Sequence, residues 1–250
     1  MTLRAWHYLR AMAKELDAWR VLSHGPLEKL TERVWRVEGA LPGMSLRRVM
    51  TLARRADGRV VVHSAIALGV AEMKEIEAWG PPSFLLVPSS VHRLDAPAYR
   101  KRYPGIKVLA PRGAREKVEA LLPVDGTYED FPPDSHVELH RLPGVGDLEG
   151  LMLVRSNDGV TVVVNDAVFN MDPKKDFLGY LFTSVLGSAP GPRVSRLAKL
   201  MLVKDKAALR AELERLAALP DLARLIVAHE KVANGRDAAA EALRQAATYL

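Results

Sequence analysis

Two short runs of β-branched residues most constrain this chain. Val60-Val61-Val62 and Val160-Thr161-Val162-Val163-Val164 are continuous and apolar, with no polar alternation. A strand wet on one face alternates, whereas a strand buried on both faces does not. Each run follows a hairpin signal, Ala56-Asp57-Gly58 in the first case and Ser156-Asn157-Asp158-Gly159 in the second. Covering both faces of two such strands needs layers of other elements, and amphipathic helical patterns recur between them.

The pattern predicts strands at Val34–Val37, Leu46–Ala53, Arg59–Ala67, Phe84–Val87 and Lys107–Ala110, then at Val137–Leu142, Leu151–Arg155, Val160–Val164 and Ala223–Ala228. Helices are predicted at 3–22, Ala71–Trp79, Ala96–Tyr103, Ala114–Leu122, Lys206–Ala218 and Ala238–Leu250, with two short ones inside 177–202. Each half runs strands first and helices after, so an α/β fold with two sheets packed together and helices outside satisfies both halves. There is no low-complexity linker and no short repeat, so one domain over 1–250 is expected, with 1–25 as a helical arm.

The chain has 250 residues and no cysteine, which removes disulfides, thiolate nucleophiles and Cys-based zinc sites. Any metal would be held by His, Asp, Glu or backbone oxygen. The net charge of +6 is spread among acidic residues, with no block of like charge. Arg93, Arg100, Lys101 and Arg102 offer a nucleic-acid groove, but a solvated helix face is the preferred reading. No run is long and apolar enough to span a bilayer, and the first residues lack a signal-peptide pattern. These readings predict a cytoplasmic protein with no membrane partner and leave homo-oligomerisation open.

Three polar groups follow strongly apolar strands: His92 with Asp95, then Asp166, then His229. Strand-end loops combine rigid backbone with free side chains, which suits ligands. Two imidazoles and a carboxylate suit one divalent zinc, iron or manganese ion, with open positions for water. Asp95 is the expected fourth ligand or general base. His63 follows Val60-Val61-Val62 and reads as a loop or core histidine. His136, His140, His7 and His24 lack matching partners, and Ser89-Ser90 lacks a Gly-x-Ser-x-Gly elbow.

The order of these segments resembles the metallo-β-lactamase superfamily. That family places His-x-His-x-Asp-His after a buried strand, where this chain has Ser90-Val91-His92-Arg93-Leu94-Asp95. Its Pro-Gly-His-Thr, Gly-Asp-x-Leu-Phe and terminal Gly-His segments are similar to Leu142-Pro143-Gly144-Val145-Gly146, Asn165-Asp166-Ala167-Val168-Phe169 and Val227-Ala228-His229-Glu230. The resemblance implies a four-layer αββα sandwich and a hydrolase acting on an ester, thioester, lactone or phosphodiester, with His63 as a substrate contact. At the family's ligand positions only His92, Asp166 and His229 are retained, and Ser90, Leu94 and Val145 replace others. That implies one metal rather than two, or none, and so sets a mononuclear hydrolase of small molecules against a non-catalytic binding or scaffold protein. The apolar 177–202 stretch is left with two roles, a cover over the site or a dimer contact.

Overall fold

A computed structural model describes residues 18–250. Seven strands form the first sheet: β1 (Glu28–Lys29), β2 (Val34–Leu41), β3 (Met44–Arg54), β4 (Val60–His63), β5 (Pro82–Leu86), β6 (Lys107–Ala110) and β7 (Gly126–Thr127), in that spatial order. β1 to β4 pair antiparallel, and β4 to β7 pair parallel. The second sheet has the order β12-β11-β10-β9-β8, with β8 (Val137–Arg141), β9 (Gly150–Ser156), β10 (Gly159–Val163), β11 (Leu222–Ile226) and β12 (Ala233–Asn234). Only β10 and β11 pair parallel there.

Three apolar cores separate four layers. Val60 and Val62 join Met73, Ile76, Tyr99 and Val118 beneath the helices Val70–Trp79, Ala96–Arg102 and Arg115–Glu119. Val61 points the other way and meets Phe84, Leu86, Met152, Val163 and Ile226 between the sheets. Val160 and Val162 pack with Leu209, Leu213 and Leu243 under the helices Lys206–Ala217 and Arg236–Ala247. Successive strand residues face opposite ways, so one unbroken valine run feeds two cores, and the architecture is an αββα sandwich.

Several boundaries differ from the sequence expectation. The strand expected over Arg59–Ala67 stops at His63, because Ser64 adopts φ +56° and turns the chain. Strand β11 ends at Ile226, three residues before His229, which therefore sits on a loop. The stretch after Asp176 forms a helix at Phe177–Tyr180 that widens into a π-turn at Leu181–Val185, followed by a helix at Arg196–Met201. Strands β1, β7 and β12 have two residues each, too short to leave a period in sequence. The helix expected over 3–22 lies mostly outside the described residues, and 18–22 is not helical. There Trp19 donates to the Leu68 carbonyl at 2.9 Å, lies 4.8 Å from the Tyr99 ring and carries the Arg102 guanidinium on its face.

Candidate metal centre

The parallel strands deliver the site. β4, β5, β10 and β11 end at one rim of the sandwich, and the loops that follow them carry Ser64, His92, Asp166 and His229. Ligand sites of layered α/β folds favour such carboxyl ends. Ligand atoms of His92, Asp166 and His229 all lie within 4.8 Å of one another. His92 Nε2 is 3.1 Å from Asp166 Oδ1, and His229 Nε2 is 3.4 Å from that same oxygen. A tetrahedral ion with bonds of about 2.0–2.1 Å separates its ligand atoms by about 3.3–3.4 Å; the His229–Asp166 spacing matches this and the His92–Asp166 spacing is slightly shorter.

The outer ring nitrogens are already engaged. His229 Nδ1 donates to the Arg47 carbonyl at 2.7 Å, and His92 Nδ1 lies 3.1 Å from Ser64 Oγ. A neutral imidazole has one N–H, which the Arg47 carbonyl would take, whereas a protonated ring donates from both nitrogens. The His229 Nε2 lies 3.4 Å from the Asp166 carboxylate oxygen, a contact that needs either a proton or a cation between the two atoms. Engaged outer nitrogens are the pattern of metal-bound imidazoles. Burial opposes ionisation of Asp166 most strongly, but the His92 charge and hydrogen bonds from His229 and His92 outweigh it and hold the carboxyl far below its usual range.

Glu149 sets the Asp166 loop, and no sequence spacing pointed to it. It is fully buried and accepts the Asn165 N–H at 2.6 Å and the Ala167 N–H at 3.1 Å, clamping the backbone on either side of Asp166. Burial, then the Asp166 charge, push the Glu149 carboxyl well above its ordinary value. The Asn165 side chain donates to Ser89 Oγ at 3.3 Å, tying this loop to the one that bears His92. Val49 N–H to the Ala228 carbonyl, 2.8 Å, joins the two sheets beside His229. Phe169 stacks on the His229 ring at 5.6 Å and 18°, and Phe182 lies 6.2 Å from it, so the 177–202 stretch supplies one apolar wall.

Asp95 does not join this cluster, which corrects its expected role as ligand or base. Its side chain is 1% exposed, and its Oδ2 accepts from Arg48 at 2.5 Å and from the Ala67 N–H at 3.1 Å. The charge and Oδ2 are committed to holding the turn after β4, while Oδ1 is buried with no hydrogen-bond partner. Among the remaining histidines, His136 accepts from Arg33 at 3.2 Å, His140 pairs with Glu138 at 3.0 Å, and His24 contacts the Gly25 carbonyl. Three of the four cations considered for a basic groove are engaged within the fold. Arg100 pairs with Asp125 at 2.8 Å, Arg102 with Glu77 at 3.0 Å, and Arg93 bonds the Lys117 carbonyl.

His63 is fully buried, and its Nε2 has no hydrogen-bond partner. Burial, then the nearby His92 charge, lower it to about 3. The unfolded residue titrates near 6.5. Between those values the unfolded chain binds a proton that the native one does not. The contribution is complete above pH 6.5 and declines as pH falls toward 3, by about 1.4 kcal/mol per unit. Urea unfolding at pH 7 and pH 5 should therefore show a loss of about 2 kcal/mol that His63→Gln largely removes. An unchanged pH slope in the variant would contradict this assignment. Ser64→Ala should weaken metal affinity by about 10–100-fold through the freed His92 ring, read by competition with a chromogenic chelator.

Structure comparison shows which proteins share this frame. The metallo-β-lactamase FIM-1 from Pseudomonas aeruginosa, in its mono-zinc form, superposes with a TM-score of 0.59 at 13% identity, over 92% of this chain and 98% of the other. The metallo-β-lactamase from Erythrobacter litoralis gives 0.58 at 15%, over 90% and 96%, and DIM-1 gives 0.60 at 12%, over 92% and 98%. No protein-family model and no curated protein matches the sequence. The chain has the fold of the metallo-β-lactamase superfamily.

Proposed function

We propose that this protein is a mononuclear metal-dependent hydrolase in which His92, Asp166 and His229 hold one divalent ion, zinc, iron or manganese. The observation that carries this reading is the Asp166 oxygen shared by two imidazoles whose outer nitrogens already contact the Arg47 carbonyl and Ser64 Oγ. When bound, such an ion lowers the pKa of a water ligand toward neutrality. The chain supplies the rest. Ser64 and the Arg47 carbonyl orient the two rings, Glu149 fixes the Asp166 loop, and Phe169 and Phe182 keep water from one side of His229. A small ester, thioester, lactone or phosphodiester is the proposed substrate. No carboxylate beyond Asp166 belongs to the cluster among the described residues, so any further proton acceptor would come from substrate or solvent.

Ser64–His92–Asp166 also has the order of a nucleophile, a base and an orienting carboxylate. The metal reading is favoured, because that relay has no use for His229 on the same oxygen and Ser64 is 4% exposed. A non-catalytic scaffold is supported by one feature, that the three side chains already pair with one another. The deciding experiment is a panel of chromogenic esters, thioesters, lactones and phosphodiesters, assayed with chelator-treated protein and with zinc, iron(II) or manganese restored. Turnover that requires metal and survives a serine-directed fluorophosphonate supports the proposal. Turnover abolished by the fluorophosphonate supports the relay, and no turnover on any substrate supports the scaffold.

A further inference from the structure

Seven of the ten large apolar side chains left exposed among the described residues fall between 177 and 201. Phe177 is 81% exposed and Leu200 78%. Phe177, Leu181 and Val185 recur every four residues along one helical face, while Gly179 and Thr183 face inward. Leu197 N–H donates to the Leu186 carbonyl at 3.3 Å, so the helix Arg196–Met201 is tied to the end of that segment. The surface is also strongly basic. Residues 174–204 hold six cations against the single anion Asp176, and of these only Lys174 forms an ion pair, with Glu230, among the described residues. Lys175, Arg196 and Lys204 are exposed and in no ion pair among the described residues. The flanking acids are occupied, Asp172 with Lys231 and Asp205 as the cap of the helix Lys206–Ala217.

We propose that this face docks on an anionic lipid surface, with Phe177, Leu181, Leu200 and Met201 entering the interface and the surrounding cations meeting the headgroups. Outward apolar side chains ringed by Lys and Arg are the composition of interfacial membrane segments. A second copy fits poorly, because a symmetric contact would set the unpaired cations Lys175, Arg196 and Lys204 against the same cations of the other copy. A folded acidic partner would need a pocket for each projecting side chain, whereas a bilayer interface imposes no such shape. The proposal revises the sequence expectation of no membrane partner. It also sets the rim beside His229 toward the lipid, since Phe182 of the same segment packs on that ring. Docking itself requires no metal, so the failure of either reading leaves the other standing.

Co-sedimentation of the full chain tests this, using vesicles of pure phosphatidylcholine and of phosphatidylcholine mixed equally with phosphatidylglycerol. Binding to the mixed vesicles is expected, with little to the neutral ones and a steep decline as salt rises. Each of Lys175→Gln, Arg196→Gln and Lys204→Gln should lower the partition coefficient by about fivefold. Phe177→Asp and Leu200→Asp should abolish pelleting while circular dichroism and melting stay as in the parent. Absence of binding to mixed vesicles, equal binding to both compositions, or a dimer in sedimentation velocity that Leu200→Asp dissociates would each overturn the proposal.

Discussion

Asp166→Ala is expected to lower affinity for a divalent ion by more than about a hundredfold, beyond what loss of an outer partner costs. The carboxylate supplies the charge, and it is the group on which both imidazoles converge, at 3.1 and 3.4 Å. Without it only the two imidazoles remain as ligands, with no group between them. The consequence is also thermodynamic. A metal present at a hundred times its Kd stabilises the native state by about 2.7 kcal/mol. For a chain of this size that is a rise in Tm of about 5–10 °C. Differential scanning calorimetry with and without zinc should show this rise in the parent and none in Asp166→Ala. Equal rises in both would place the ion elsewhere.

Arg48→Ala is expected to cost about 3–5 kcal/mol of stability without any direct loss at the metal centre. Arg48 is 4% exposed and bonds Asp95 at 2.5 Å, the Ala65 carbonyl at 3.1 Å and the Ala40 carbonyl at 3.2 Å. Removing one member of a buried ion pair leaves an uncompensated charge, which is the costly case. The pair as a whole contributes far less, so Arg48→Met with Asp95→Asn should recover much of the loss. Urea unfolding of the single and double variants reads both effects. Asp95→Asn alone should bind metal as the parent does. A drop in its metal affinity comparable with that of Asp166→Ala would restore Asp95 to the ligand set.

The sheets were legible where physics writes a local signal. Val60–Val62 and Val160–Val164 are buried on both faces because two layers cover each sheet, and their composition says so. The Gly58 turn, φ +83°, and the Gly159 turn, φ +122°, use glycine where a side chain would be strained. His92, Asp166 and His229 were legible as strand-end residues because parallel strands leave their following loops at one rim. What lay beyond reach was pairing at long range. Nothing around position 95 says that Arg48, 47 residues away, neutralises its carboxylate. Nothing around position 149 says that Glu149 bonds the backbone at 165 and 167. Ser64 looked like the tail of a strand, and only its φ of +56° and its contact with His92 distinguish it.

One cation held by His92, Asp166 and His229 would appear in the metal content of the purified protein. Elemental analysis of untagged protein, purified without chelator, should find about one transition-metal ion per chain, and almost none in His229→Ala. Parent protein that carries no metal, and whose melting does not respond to zinc, iron(II) or manganese, would contradict the account. His92, Asp166 and His229 would then be a self-paired polar cluster and no metal centre.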